Sequence, residues 1–299
     1  MAILATSGIT LPKNIAEGLW AKAQAGSAIA ALSNAEPQKF GEVTHVTLTG
    51  RPRAELVGEG AEKGDTNATF GTKVATPHKF QVTMRFNEEV QWADEDYQLG
   101  ILSTLASEGG LALSRALDLG GFHGINPRAG TAAASIVAGD RIATTTNTVN
   151  IASGTGADIT VETAAGLVIA DGYIPNGIAF DPTYAWQLAT ARYADGRKKF
   201  PELGYGQNVT SFEGLPSFSS STVSGLPEAS ADTDVRAIVG QWDAFRWGVQ
   251  KNIPVELIKF GDPDGLGDLK RQNQIALRLE VVYAWAVMDL DAFATIKEA

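Results

Sequence analysis

The chain has 299 residues, 44% of them hydrophobic and 19% charged, and carries 32 glycines, 12 prolines and no cysteine. That length gives one or two domains, folding roughly 46,000 Å² of extended surface down to about 12,000 Å², and the composition excludes a largely disordered chain. The net charge of −10 argues against a general nucleic-acid binder, which needs a basic face to displace counterions from phosphate, and the lack of cysteine removes disulfides, thiolate metal sites and thiol nucleophiles.

No stretch approaches the run of about 18 apolar residues that spans a membrane. Met1 to Thr10 is apolar but has no basic segment before it, so a signal peptide is not expected. The chain reads as soluble and made inside a cell. Its first segment reads as an arm. Pro12 suits the first turn of a helix whose Ile15, Leu19 and Ala23 recur at helical spacing, and Gly26 ends it. One short apolar stripe cannot bury itself, so this helix is expected to dock elsewhere.

From Phe40 to Val90 the period changes to two. Val43 to Thr49 favours a strand, and Phe80, Val82, Met84 and Phe86 alternate with Lys79, Gln81, Thr83, Arg85 and Asn87. One face of that strand is expected to be buried and the other wet. Between them Gly58 to Gly71 is glycine-rich and charged. This predicts a long hairpin whose far half has little apolar material to fold around.

Asp94 is a plausible N-cap for a long helix in which Tyr97, Ile101, Leu105, Gly109, Ala112, Ala116 and Leu119 share a face. It would run to a stop at Gly120-Gly121 and span about 40 Å. Gly109-Gly110 in its middle implies a bend or the close approach of another element. Ile125 to Asn150 reads as loop or irregular strands, and Val161 to Ala170 as helix. Ile178 to Phe180 reads as a short buried strand, and Asp181-Pro182 opens a helix through Tyr193. Arg197-Lys198-Lys199 falls in a loop, and Phe212 to Phe218 is a strand. Strands are then predicted at Ala237 to Val239, Phe245 to Val249 and Ile253 to Phe260. A further, long strand is predicted where Ile275, Leu277, Leu279, Val281, Tyr283, Trp285 and Val287 alternate.

The catalytic inventory is thin. Of the three histidines, His45 and His78 lie on opposing hairpin strands and could pair, though a metal would need a third ligand. His123, just past a helix end, is read as capping carbonyls. No nucleophile elbow, zinc-protease or P-loop motif occurs. Asp262, Asp264, Gly265 and Asp268 imitate a calcium loop, but Asn273 stands where the closing glutamate belongs, so a solvated turn is expected. Glu88, Glu89 and Asp94 offer the one carboxylate cluster dense enough for an acidic hydrolase.

In this order, the elements resemble the major capsid proteins of tailed bacteriophages, the Hong Kong 97 fold. The resemblance runs over nearly the whole chain. It is carried by Leu11-Pro12 before the arm helix and by Ala54-Glu55-Leu56-Val57-Gly58-Glu59-Gly60 with Phe70 at the loop tip. Lys79-Phe80 to Glu88-Glu89-Val90 is similar to the returning strand, and Leu105 to Leu117 through Gly124-Ile125-Asn126-Pro127 to the spine helix and its exit. Asn176-Gly177 to Asp181-Pro182, Asp195-Gly196-Arg197, Phe212-Glu213-Gly214-Leu215-Pro216, Ile238-Val239-Gly240, Trp247-Gly248 and Arg278 to Ala294 complete it.

The resemblance implies an α+β fold with an N-terminal arm (1–39), an extended β-hairpin loop (40–90), a peripheral domain of spine helix and β-sheet (91–124 and 236–299) and an axial α/β domain (125–235). It implies no enzymatic role, no cofactor and no metal. The implied function is a structural subunit self-assembling into hexamers and pentamers of an icosahedral phage head. That head would enclose double-stranded DNA without binding it specifically, and would be assembled in the bacterial host cytoplasm. Portal, scaffold and decoration proteins are the implied partners, and no membrane is involved. An arm beginning so near Met1 suggests a separate scaffold or a mature form. Lys63 lies where some relatives crosslink a loop lysine, with no matching asparagine found here.

The residues expected at subunit contacts are Leu19, Arg51, Arg53, Glu55, Glu59, Glu62, Lys63, Arg197, Lys198 and Tyr205. Arm and hairpin together are expected to find no support on their own body and to need neighbouring copies. An encapsulin-like nanocompartment shell is the alternative of the same fold, and the acidic hydrolase the alternative of another class.

Overall fold

The computed structural model describes residues 26–50, 52–65, 67–90, 101–151, 156–201, 203 and 209–298. Two sheets divide most of the strands. In the first, β1 (Val43–Gly50), β2 (Thr69–Asn87), β10 (Phe245–Ile258) and β11 (Gln274–Val287) run antiparallel in the order β1-β2-β11-β10. In the second, β5 (Thr148–Ile151), β6 (Gly177–Phe180), β7 (Ser211–Phe212), β8 (Leu215–Ser219), β9 (Val235–Gly240) and β12 (Phe293–Glu298) lie in the order β5-β12-β9-β6-β8-β7. β3 (Ile125–Asn126) and β4 (Thr131–Ala132) pair separately. The helices are α1 (Ala28–Leu32), α2 (Ile101–Asp118), α3 (Ala157–Ala170) and α4 (Pro182–Thr190).

The alternation in β11 is the organising feature. Ile275, Leu277, Leu279, Val281, Tyr283 and Trp285 face the same way as Phe86, Met84, Val82, Phe80, His78 and Thr76, their register partners on β2, and α2 packs on this face. The opposite face of β11 is also buried at Ala276, Val282, Ala284 and Ala286. Small residues there let other chain segments close over it. The six-stranded sheet is likewise covered twice. Ile178, Phe180, Val239 and Ile296 pack under α3 and α4, while Ala179, Ile238 and Phe293 join the core shared with α2 and the first sheet. Asp181 caps α4 as its sequence suggests, accepting from Thr183 N at 2.8 Å with Pro182 in the first turn.

Several expectations are corrected. The long helix does not stop at Gly120-Gly121. It widens into a π-helical turn over Leu119–His123 and ends at Gly124, in the left-handed region at φ 67°; its predicted beginning near Asp94 lies outside the described residues. Phe245 to Val249 and Ile253 to Phe260 are one strand, β10, with register irregularities between Val249 and Lys251 and between Ile253 and Glu256. The block 236–299 does not stay together in strand pairing. β10 and β11 pair beside α2, but β9 and β12 join the six-stranded sheet, where β12 also runs parallel to β5.

The arm is corrected in part. Its predicted helix falls within residues 1–25, outside the described residues, but residues 27–38 lie on their own body. Ala28 and Ile29 of α1 are fully buried, Trp247 donates to Ser33 Oγ at 2.9 Å, and Glu36 N donates to Trp247 O at 2.8 Å.

The mid-helix glycines differ in role. A Cβ on Gly109 would come 2.9 Å from Leu279 Cδ1, so close approach of β11 explains it, whereas Gly110 has nothing within 4 Å. On Gly120 a Cβ would meet the fully buried Trp285 ring at 2.8 Å. Gly110→Ala is therefore expected to stabilise the unassembled subunit by about 1 kcal/mol. Gly120→Ala is expected to destabilise it by roughly 1–3 kcal/mol, both read from urea unfolding. A Gly120→Ala subunit as stable as its parent would contradict this packing.

Candidate functional site

The most unusual surface of the described residues is the projecting ribbon. β2 is a single 19-residue strand that changes partner along its length: Thr76 to Asn87 pair with β11, and Thr69 to Ala75 pair with β1. Beyond the sheet, then, the chain continues as two strands only, an arrangement that is marginal by itself in water. The register sets Leu48 opposite Phe70, Val46 opposite Thr72 and Thr44 opposite Val74, so these residues share one face. That face carries Val46 at 69%, Leu48 at 49%, Phe70 at 70% and Val74 at 39% exposure. A contiguous apolar strip on a thin ribbon marks a contact surface. Alternation in the sequence indicated the strands. It could not show that no other described residue covers this face.

The ribbon ends in an exposed loop over residues 52–65. The structure brings five of the predicted contact residues together there: Arg53, Glu55, Glu59, Glu62 and Lys63, all exposed. Glu55 accepts from Gly64 N at 2.7 Å, which closes the loop on itself, and Leu56 at its tip is fully exposed. Arg197 and Lys198 belong elsewhere, in the segment after α4. There Arg197 pairs with Asp195 at 2.6 Å, the backbone at Lys198 runs antiparallel to that at Arg192 in a single β-bridge, and Lys199 ties the segment to α3 through Asp158 at 2.9 Å. Leu19, Arg51 and Tyr205 lie outside the described residues.

Three buried polar clusters hold the elements behind this surface, and no local pattern in the sequence marks them. Asp118, at the end of α2, is fully buried. Its Oδ1 accepts from Ser27 Oγ at 2.5 Å and Ile29 N at 3.0 Å, and its Oδ2 from Ala28 N at 2.7 Å and Thr222 Oγ1 at 2.5 Å. Burial pushes its pKa up to about 6 against these hydrogen bonds, which lower it. One turn earlier Arg115 makes a two-pronged pair with Glu228, at 2.5 and 2.6 Å. Arg85, on the β2 face expected to be wet, is instead buried by the 262–274 segment. It donates to Asp262, Asp264, Gln272, Gln274 and the carbonyl of Gly267. Two of the aspartates that imitate a calcium loop, Asp262 and Asp264, are thus partners of a buried arginine, while Asp268 accepts from Arg271 N at 2.9 Å, so the turn is not merely solvated.

Of the carboxylates expected for hydrolase chemistry, the two described ones each have a partner of their own. Glu88 lies 3.9 Å from Lys270 and Glu89 accepts from Asn273 Nδ2 at 2.7 Å, while Asp94 is outside the described residues. His45 stands opposite Lys73, not His78; His78 instead packs against Trp285, the rings tilted by 38° with centroids 4.5 Å apart. His123 lies within 2.9 Å of the Val223 carbonyl, which belongs to a neighbouring turn and not to its own helix end, and burial lowers its pKa to about 4. Among the described residues, no three His, Asp or Glu side chains gather as metal ligands, and no helix is long and apolar enough to cross a membrane.

The sequence pattern of the phage capsid family matches residues 7–297. A solved chain from Mycobacterium phage Ogopogo is 48% identical and superposes with a TM-score of 0.88, all of each chain being covered. One from Gordonia phage Cozz is 36% identical, with a TM-score of 0.84 over 97% of this chain and 92% of that one. At 14% identity, a structure described as the capsid of an empty GTA particle computed with C5 symmetry shares the fold, with a TM-score of 0.66 over 97% of this chain and 95% of that one. Comparison with curated proteins gives no significant match.

The two buried titratable groups predict opposing pH effects. Asp118, raised from 3.8 to about 6, contributes stability that is fully present below pH 3.8 and lost as pH rises through about 6. His123, lowered from 6.5 to about 4, contributes stability that is present above pH 6.5 and lost as pH falls through about 4. Each effect is on the order of 3 kcal/mol. Asp118→Asn is therefore expected to make the free subunit lose stability on going from about pH 6 to about pH 4, and His123→Gln to make it gain. Urea midpoints across that range measure this, and parallel slopes in the two variants would contradict it.

Proposed function

The chain belongs to the phage capsid family, and from that premise we propose that it builds an icosahedral phage head as hexamers and pentamers, with the ribbon and its loop as a principal contact between copies. It is a phage major capsid protein, a structural component of the virion. The observation that carries the finer reading is the apolar strip of Val46, Leu48, Phe70 and Val74 on a ribbon left uncovered by the other described residues. A closed shell made from one chain type needs contacts that hold their register while the angle between subunits varies. A two-stranded ribbon bends readily, and the mixed charges of Arg53, Glu55, Glu59, Glu62 and Lys63 specify register more than they add energy. Arg197 and Lys198 are proposed as a second contact, next to the six-stranded sheet.

The remaining partners follow from charge and containment. A subunit of net charge −10 does not condense DNA onto its wall, so double-stranded DNA is held by enclosure and stays free to slide during packaging. A scaffold, a portal and decoration proteins are the expected assembly partners, in the cytoplasm of a bacterial host. The subunit carries no catalytic activity and no cofactor in this reading.

Replacing Leu48 and Phe70 together by Ser and Asn tests the proposal. The expected result is a subunit whose urea midpoint stays within about 0.5 kcal/mol of the parent, because neither side chain is buried in the free chain. Particle formation with the cognate scaffold, read by gradient sedimentation and electron microscopy, should fall at least about tenfold, since a loss of about 1.4 kcal/mol already lowers the association constant of each single contact tenfold. Normal particles from this variant would overturn the role given to the ribbon.

A further inference from the structure

Asp118 plays no part in the ribbon contact, yet it is the most completely enclosed charge at a junction of three separate elements. It terminates α2, it receives both backbone N–H groups and the hydroxyl at the start of α1, and it receives Thr222 from the turn after β8. Ser27 Oγ in turn accepts from Ala30 N at 3.0 Å and so caps α1, and Ser220 Oγ lies 3.2 Å from the Gly26 carbonyl. α1 is a single turn of five residues, too short to hold itself. What fixes residues 26–29 is therefore this carboxylate together with the burial of Ile29. Two of its four donors are backbone N–H groups, which cannot turn round to accept. Only a group with acceptors on both sides fits.

We propose that Asp118 is a positioning residue for shell assembly: it fixes the point at which the arm joins the body, and closure of a shell depends on that fixed point. The proposal rests on the capsid reading. Its physical basis is preorganisation. A segment rooted in one place presents itself to a neighbouring copy at a high effective concentration. A segment swinging from a loosened root is diluted over many positions and must be ordered anew at every contact. The flexibility a shell requires then resides in the ribbon, and the arm's root is rigid.

The groups around Asp118 make protonation a specific probe of the grip. α1 and the 220–222 turn present only hydroxyls and N–H groups to it. From β11 the nearby titratable group is Tyr283, held neutral by burial and hydrogen-bonded to the Leu113 carbonyl at 3.2 Å. On its own helix Arg115 is turned to Glu228, and His123 in the following turn is beside Val223.

The test compares the full chain with Asp118→Asn and Thr222→Val, each with the cognate scaffold. Amide hydrogen exchange is followed at residues 28–33 and, as a core reference, at 281–287, and particle yield is counted by microscopy. Asp118→Asn should speed exchange at 28–33 by at least about tenfold with the reference unchanged, and should lower particle yield at least about fivefold. Thr222→Val, which leaves the arm's three donors in place, should fall between variant and parent and decides the matter if Asp118→Asn does not fold. In the parent, protection at 28–33 should decrease as pH rises through about 6, and this dependence should vanish in Asp118→Asn; a side chain that merely filled space would show neither. Unchanged exchange at 28–33, or normal particle yield despite a loosened arm, would overturn the proposal. Failure of the parent chain to form particles would count against the capsid reading instead, and the exchange comparison would still judge the grip.

Discussion

A strand that changes partners along its length governs this molecule. β2 spends its second half inside a sheet covered by α2 and its first half paired with β1 alone. The face that turns Phe80 and Phe86 toward the helix continues outward as Val74 and Phe70, which no helix among the described residues covers. The pleat leaves no choice in this, because side chains two apart point the same way. One continuous apolar face is thus half core and half surface. The surface half is what another copy can complete.

The body behind it is far more completely buried than the ribbon. β11 is buried on both faces, with large side chains toward α2 and alanines toward the other side. Three buried charges then tie segments that hydrophobic contact alone would leave free to shift. Arg85 holds the 262–274 segment, Arg115 holds Glu228, and Asp118 holds the arm. Such groups add little net stability compared with well-packed apolar residues. Removing one partner, however, leaves a buried charge exposed to the full desolvation cost, so each segment has one position and not several.

Much of the framework was legible because it rests on periodicity. The alternation in β11 and β2, the Asp181-Pro182 start of α4 and the glycine-rich loop between the hairpin strands all follow from short-range rules. What stayed hidden depends on contacts distant in sequence. Arg85 occupies an outward position of its strand and is buried only because the 262–274 segment folds over it. Asp118 is one acid among many until Ser27 and Thr222, each about a hundred residues away, are brought to it. His45 and His78 looked opposed, but the register moved them apart. The wide turn over Leu119–His123 replaced an expected stop because Gly120 is shaped to the Trp285 ring and not to a helix end. The exposed strip on β1 and β2 reads in the sequence like any half-buried hairpin. Only the finished fold shows which half lacks a cover.

The most direct measurement of this account is amide hydrogen exchange over residues 43–50 and 69–75, taken on the free subunit and on assembled particles. The ribbon should exchange rapidly in the free chain and become protected by about a hundredfold or more on assembly, while β11 stays protected in both. A ribbon already as protected in the free subunit as in the particle would mean that its own chain supplies the cover, and the account would be wrong.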